Sequence, residues 1–267
     1  MNLLQSSGAS PGNRIVMEQK WSRIVWAHWP VDPSQVAALL PPALSPETYD
    51  GSAWIGLVPF QMSDLRLAGV LSGVSSALRV SAFGEVNVRT YVQGPDGRTG
   101  VWFATLDADR LLAVITARVA FGLPYRGAAI RLSVTAEGGC ERIAWNSVRR
   151  KDSARAALIV APDDVEPQVA APGLERFLVE RYALYSWWHG QLLRGSLSHA
   201  PWMVRGARLI DVENGTVDAT GLRVAGAPHL LVGEPVEVRI HPFSRVRRSV
   251  SSELGVRARR RVSVPRQ

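Results

Sequence analysis

Between Phe83 and Val92 the sequence FGEVNVRTYV alternates strictly enough to be sorted by face. Successive side chains of a strand point to opposite sides. One face therefore takes Gly84, Val86, Val88, Thr90 and Val92, and the other takes Phe83, Glu85, Asn87, Arg89 and Tyr91. The valine face must pack on a core. The second face sets an acid, an amide, a guanidinium and a phenol among aromatics, the composition of a barrel interior that binds a polar ligand. The alternative is an exposed face held by cross-strand ion pairs. An acid beside a phenol can move a proton, and a guanidinium can grip a carboxylate through paired hydrogen bonds.

Two more arginines border apolar stripes. Arg118 follows Ile115 by three and precedes Val119, and Arg181 is four from Phe177 and three from Leu178. Buried arginines need a carboxylate partner or a ligand that supplies one, and Glu85 is a candidate partner. Snorkelling to water is the alternative for each. The five histidines, His28, His189, His199, His229 and His241, show no HxH or HExxH spacing, so no metal site is expected, and no cofactor. The single Cys140 excludes an internal disulfide. Nucleophile-elbow, phosphate-loop and dinucleotide glycine motifs are lacking.

The elements that must position these groups are mostly strands. Trp21–Trp29 reads as a first strand, and a helix follows with Asp32 as N-cap, Pro33 at its first position and Val36, Leu39 and Leu40 at helical spacing. Trp54–Met62 reads as a buried strand marked by Pro59 as a bulge or edge. The strand 82–92 turns at Gly94–Gly97 and returns over 99–106 as a hairpin. Asp107 is placed to cap a helix running to about Gly122. Strands over 128–136, 141–149 and 154–162 precede a short helix near Leu174. From Tyr182 to Phe243 the pattern is strands, with turns at Asn214-Gly215, Gly226 and Gly233-Glu234. The aromatics of 182–189 fall on both strand faces, as in a strand buried on both sides. Many strands and a few short helices predict a mainly β (α+β) domain, a curved sheet or barrel with helices outside.

The chain has 267 residues with 46% hydrophobic content, enough for one large core without disulfide or metal staples. Residues 1–17 read as a disordered leader and 18–244 as a single domain; no secretory or membrane-spanning stretch is visible, which predicts a cytoplasmic protein without a membrane partner. The net charge of +8 is carried mostly by the tail 245–267, which holds eight arginines against Glu253. That tail reads as a solvated, disordered extension, so nucleic acid is not the expected partner, although an interaction protein working through the tail is the alternative. Only two lysines are present, Lys20 and Lys151.

At FGEVNVRTYV (83–92), ARVAFGLPYRGA (117–128), LERFLVERYALYS (174–186) and HAPW (199–202) the chain resembles the YqjF-like family of uncharacterised proteins, within the acetoacetate-decarboxylase-like superfamily. The resemblance spans about residues 20–244 and implies a β-barrel-like fold with an internal small-molecule cavity. It singles out His199, in Ser-His-Ala-Pro-Trp. Decarboxylases of that superfamily carry a glutamate on a mid-chain strand, matched by Glu85, and two adjacent lysines after a Gly-x-Pro turn. The first lysine forms a Schiff base with a β-keto acid. Here Gly122-Leu123-Pro124 is followed by Tyr125 and Arg126, so the imine chemistry is lost with its amine. A phenol beside a cation would have a lowered pKa and act as an acid, or else Tyr125 is a packing residue.

These readings predict a protein that binds a small organic anion, a keto or carboxylic acid, in an internal cavity. Tyr125 and Glu85 would transfer protons, while Arg89, Tyr91, Asn87, Arg118, Arg126, Arg181 and His199 would bind the ligand. A lysine-independent lyase or isomerase is the catalytic version of the same expectation. A homo-oligomer is among the partners considered.

Overall fold

The computed structural model describes residues 14–67, 82–110, 122–137 and 139–247. In chain order the strands are β1 (Met17–Ser22), β2 (Ile24–Val31), β3 (Ser45–Pro46), β4 (Ala53–Leu67), β5 (Phe83–Gln93), β6 (Thr99–Ala108), β7 (Tyr125–Glu137), β8 (Cys140–Arg149) and β9 (Arg155–Pro162). They continue as β10 (Gln168–Val169), β11 (Ala183–Trp188), β12 (Gln191–Ser198), β13 (Met203–Glu213), β14 (His229–Gly233), β15 (Val236–Ile240) and β16 (Ser244–Arg245). The described helices are short: α1 (Pro33–Ala37), α2 (Leu174–Val179) and α3 (Gly215–Asp218). This is the mainly β architecture that the alternation predicted.

The pairings form two closed circuits. One runs β1–β15–β12–β11–β6–β5–β4 and returns to β1; the other runs β6–β7–β8–β9–β13–β14–β2–β4–β5 and returns to β6. Strands β4, β5 and β6 belong to both. They form a shared wall, and a wall between two circuits has no solvent side. Every residue of β5 from Phe83 to Val92 is accordingly buried. Val86 and Val88 enter a core with Val25, Ala27, Trp29, Ile143, Trp145 and Leu158. Phe83 and Tyr91 join a second core on the opposite side, with Trp26, Phe60, Leu178 and Trp202. The exposed-face alternative for Glu85, Asn87, Arg89 and Tyr91 is thereby excluded.

Several local signals translate directly. Asp32 caps α1, accepting from the Ser34 backbone N–H at 2.7 Å, with Pro33 at the first helical position. Pro59 lies where β4 exchanges partners: Leu57 is the last residue facing β2, and Gln61 and Met62 face the end of β1. A missing N–H costs little at such a hand-over. Arg23, at φ 52°, breaks the expected first strand into β1 and β2. Asn214-Gly215 opens α3 instead of forming a simple turn.

Two expectations are corrected. Asp107 caps no helix; it is the penultimate residue of β6, fully buried. The helix proposed after it falls on 111–121, outside the described residues. The aromatic run after Tyr182 is not buried on both sides, since Trp187 and Trp188 are about two-fifths exposed, at 41% and 39%. Strand β11 pairs with β6 only through Leu184 and Tyr185, and beyond them Trp187 and Trp188 keep β12 alone as a partner, through Leu192 and Gln191.

Candidate functional site

On the polar face of β5 the side chains separate into two groups. At one end Glu85 is 3% exposed and accepts a hydrogen bond from the Tyr125 hydroxyl at 2.9 Å. Asn87, two residues along the same face, is buried as well. Tyr125 starts β7 and is paired with Leu106 of β6, while Glu85 is paired with Ala108 on the opposite edge of β6. The phenol thus reaches across β6, over the small Ala108 side chain.

Burial pushes the Glu85 carboxyl up to about 8; the Tyr125 bond and the nearby Asn87 amide pull it down and fall short, and Asp107 across the sheet adds a smaller upward push. At neutral pH it is largely a neutral acid with an O–H to donate. The Tyr125 phenol is raised well above its usual value, by burial first and then by the Glu85 charge. The expected lowering by Arg126 does not occur. Neighbouring strand residues point to opposite faces, and Arg126 is turned outward, 3.6 Å from Asp152. Tyr125 is therefore a hydrogen-bond donor, and Glu85 is the group that titrates.

The other end of the face is a clamp on α2. The Tyr91 hydroxyl donates to the Leu178 carbonyl at 2.6 Å, and Arg89 Nη2 donates to the same oxygen at 2.9 Å. Arg181 Nε donates to the Phe177 carbonyl at 2.6 Å, its Nη1 pairs with Glu47 at 2.6 Å, and its guanidinium lies 4.6 Å from the Tyr91 ring centre. The last carbonyls of a helix have no partner within it; here two are satisfied by groups read from the sequence as ligand-binding. The partner of Arg181 is Glu47, not Glu85.

His28 completes the clamp, 2.7 Å from the Tyr91 hydroxyl. Leu178 O can only accept, so the single phenol hydrogen goes there, and His28 must donate from Nε2. Burial, reinforced by the charges of Arg89, His229 and Arg181, lowers the His28 pKa and keeps the ring neutral. Gly56 makes this possible, since a Cβ there would lie 2.6 Å from His28 Nε2. Period two along β2 places His28 with Ile24 and Trp26, and that alternation was the available signal for it.

A buried ion pair went unread because Asp107 looked like a helix cap. Arg149 Nε reaches both Asp107 oxygens, at 2.9 and 2.8 Å, and Arg149 Nη2 donates to Thr105 at 2.6 Å. A bulge in β6 at Ala104, where Val88 faces Thr105 and Arg89 faces Phe103, puts Thr105 and Asp107 on the valine side. The pair therefore lies across the sheet from Glu85.

Of the remaining candidates, His199 stacks on Tyr182 at 4.6 Å and contacts the Ala200 carbonyl through Nδ1, at the protein surface. Arg118 lies outside the described residues. Both lysines are exposed, Lys20 on β1 and Lys151 in the turn after β8, so no amine accompanies Glu85. Among the described residues no three acid, histidine or cysteine side chains cluster as metal ligands, and no helix is long and apolar enough to cross a membrane.

Comparison with known proteins bears on the whole chain. Uncharacterized protein YqjF of Bacillus subtilis (strain 168) is 35% identical over 229 residues, covering 85% of this chain and 90% of that protein. Among solved structures, the enduracididine biosynthesis enzyme MppR complexed with pyruvate aligns at a TM-score of 0.62 and 16% identity, covering 91% of this chain and 94% of MppR. An acetoacetate decarboxylase from Legionella pneumophila subsp. pneumophila str. Philadelphia 1 aligns at 0.61 and 13% identity, covering 92% and 98%. These low identities speak for a shared fold. Residues 18–237 match the DUF2071 model, described as an uncharacterized conserved protein, and with the YqjF match this places the chain in the DUF2071, or YqjF-like, family with an acetoacetate-decarboxylase-like fold.

Proposed function

We propose that the protein binds a small keto or carboxylic acid beside Glu85 and Tyr125 and transfers a proton to or from it without an imine intermediate. The observation that carries this reading is the Glu85 carboxyl, buried, bonded by Tyr125 and held near pKa 8. An acid poised close to neutral pH can both donate and accept a proton, as general acid–base catalysis requires. With Tyr125 donating to one carboxyl oxygen, the carboxyl proton is left for a ligand oxygen or carbanion. The fold supports the ligand class, since one structural neighbour is a complex with pyruvate and another is an acetoacetate decarboxylase. Imine chemistry is not part of the proposal because both lysines are exposed.

The test is hydrogen–deuterium exchange at the carbon next to the ketone of pyruvate and acetoacetate, followed by proton NMR in D2O. Enzyme-dependent loss of the methyl or methylene signal is expected, slowed by about 100-fold in Glu85→Gln. Exchange no faster than buffer with both acids, or equal in wild type and Glu85→Gln, would remove Glu85 from this role. Borohydride with either acid should leave Lys20 and Lys151 unlabelled.

A further inference from the structure

One edge of β6 is shared by two parallel partners in succession. Strand β11 pairs at Val101 and Trp102, and β7 pairs from Leu106 to Ala108. Between them Phe103, Ala104 and Thr105 have no strand partner on that edge among the described residues. The partners must diverge here, because β11 belongs to one circuit and β7 to the other. The fork leaves a cleft of about 340 Å³ between them, within the lower range for small-molecule sites.

Its walls combine aromatic surface with one half-exposed cation. Trp102 and Phe103 come from β6, and Trp187, one of the exposed aromatics past the end of the β11–β6 pairing, closes the opposite side. Arg126 also lines it, half-exposed and ion-paired with Asp152 at 3.6 Å, with guanidinium donors left over for a ligand carboxylate. Neither Glu85 nor Tyr125 is among the lining residues.

We infer that this fork is a second binding site, for a flat aromatic or conjugated carboxylate. The ring sits between the Trp102 and Trp187 indoles, and the carboxylate meets Arg126. Binding here requires no proton transfer and does not depend on the role of Glu85.

The experiment is a fluorine NMR titration of 4-fluorobenzoate with the full chain. Broadening or shift of the probe signal is expected. Arg126→Met and Trp187→Ala should each weaken binding by about tenfold, the loss of one charge-assisted contact or one stacking wall. Both side chains are partly exposed, at 47% and 41%, so circular dichroism of the two variants should match wild type. The uncharged 4-fluorobenzyl alcohol should bind more weakly to a similar degree, and Glu85→Gln should bind 4-fluorobenzoate as wild type does. No broadening at about 10 mM probe, a range where even weak sites fill, overturns the inference. So does equal binding by wild type and both variants, equal binding of acid and alcohol, or loss of binding in Glu85→Gln.

Discussion

Tyr125 and Glu85 meet across an intervening strand. Their own strands, β7 and β5, lie on opposite edges of β6, and the phenol spans two strand spacings, about 10 Å, to donate to the carboxyl. The contact is available only because β5 and β6 lie in the wall between the two circuits, where a carboxyl is cut off from water on both sides of the sheet.

That isolation has a signature in stability. The folded protein holds the Glu85 proton up to about pH 8, and an unfolded chain releases it near 4.5. Between those values the folded state binds more protons, so stability falls as pH rises, by up to about 1.4 kcal/mol per pH unit from this group. The contribution is fully present below 4.5 and lost above 8. Glu85→Gln, which cannot ionise, should gain on wild type steadily through that window when urea unfolding is measured from pH 5 to 9.

Tyr125→Phe should leave the fold intact and move the Glu85 titration upward from about 8, because the Tyr125 bond is one of the interactions favouring the ionised carboxyl. Carboxyl-selective ¹³C NMR or infrared difference spectroscopy reads this directly. A downward movement would contradict the assignment of the phenol as donor.

The α2 clamp predicts both a protonation state and a loss. By ¹⁵N NMR, His28 should be neutral at pH 5.5 and protonated on Nε2, since burial and nearby cations oppose its charging. Tyr91→Phe removes the hydroxyl shared by His28 and Leu178 O, at a cost of about 1–3 kcal/mol for the buried groups left behind. Amide exchange should quicken first in Leu174–Val179.

Breaking the Asp107–Arg149 pair from one side strands a charge that is almost wholly buried. Asp107→Asn or Arg149→Met should each destabilise by about 3–5 kcal/mol, and the double change Asp107→Leu with Arg149→Met should recover much of it. Denaturant midpoints of the three variants decide this.

The strand content, the α1 cap, the hairpin at Gly94–Gly97 and the division of residues 83–92 into two faces were all legible in the sequence. They depend on period, turn chemistry and capping, which act within a few residues. The pairing of Glu85 with Tyr125 was open only through a family pattern, and the true partners of Arg181, Asp107 and Tyr91 were not open at all. Asp107 read as a cap because an acid after an alternating run is locally ambiguous between strand end and helix start. Arg89 and Arg181 read as ligand-binding because nothing local shows that two carbonyls of α2 will come to rest against them.

What the sequence determined by itself is the chemistry available on the polar face of β5: one acid, one amide, one guanidinium, one phenol, and no lysine to accompany them. What only the tertiary structure decided is how that chemistry is shared out. Closure of two circuits around β4, β5 and β6 buries both faces of β5, raises the Glu85 pKa and sets Tyr125 over it, while α2 packs on the far end and takes hydrogen bonds from Arg89, Tyr91 and Arg181. Such partners lie many tens of residues apart, and only the pairing of distant strands fixes which of them meet.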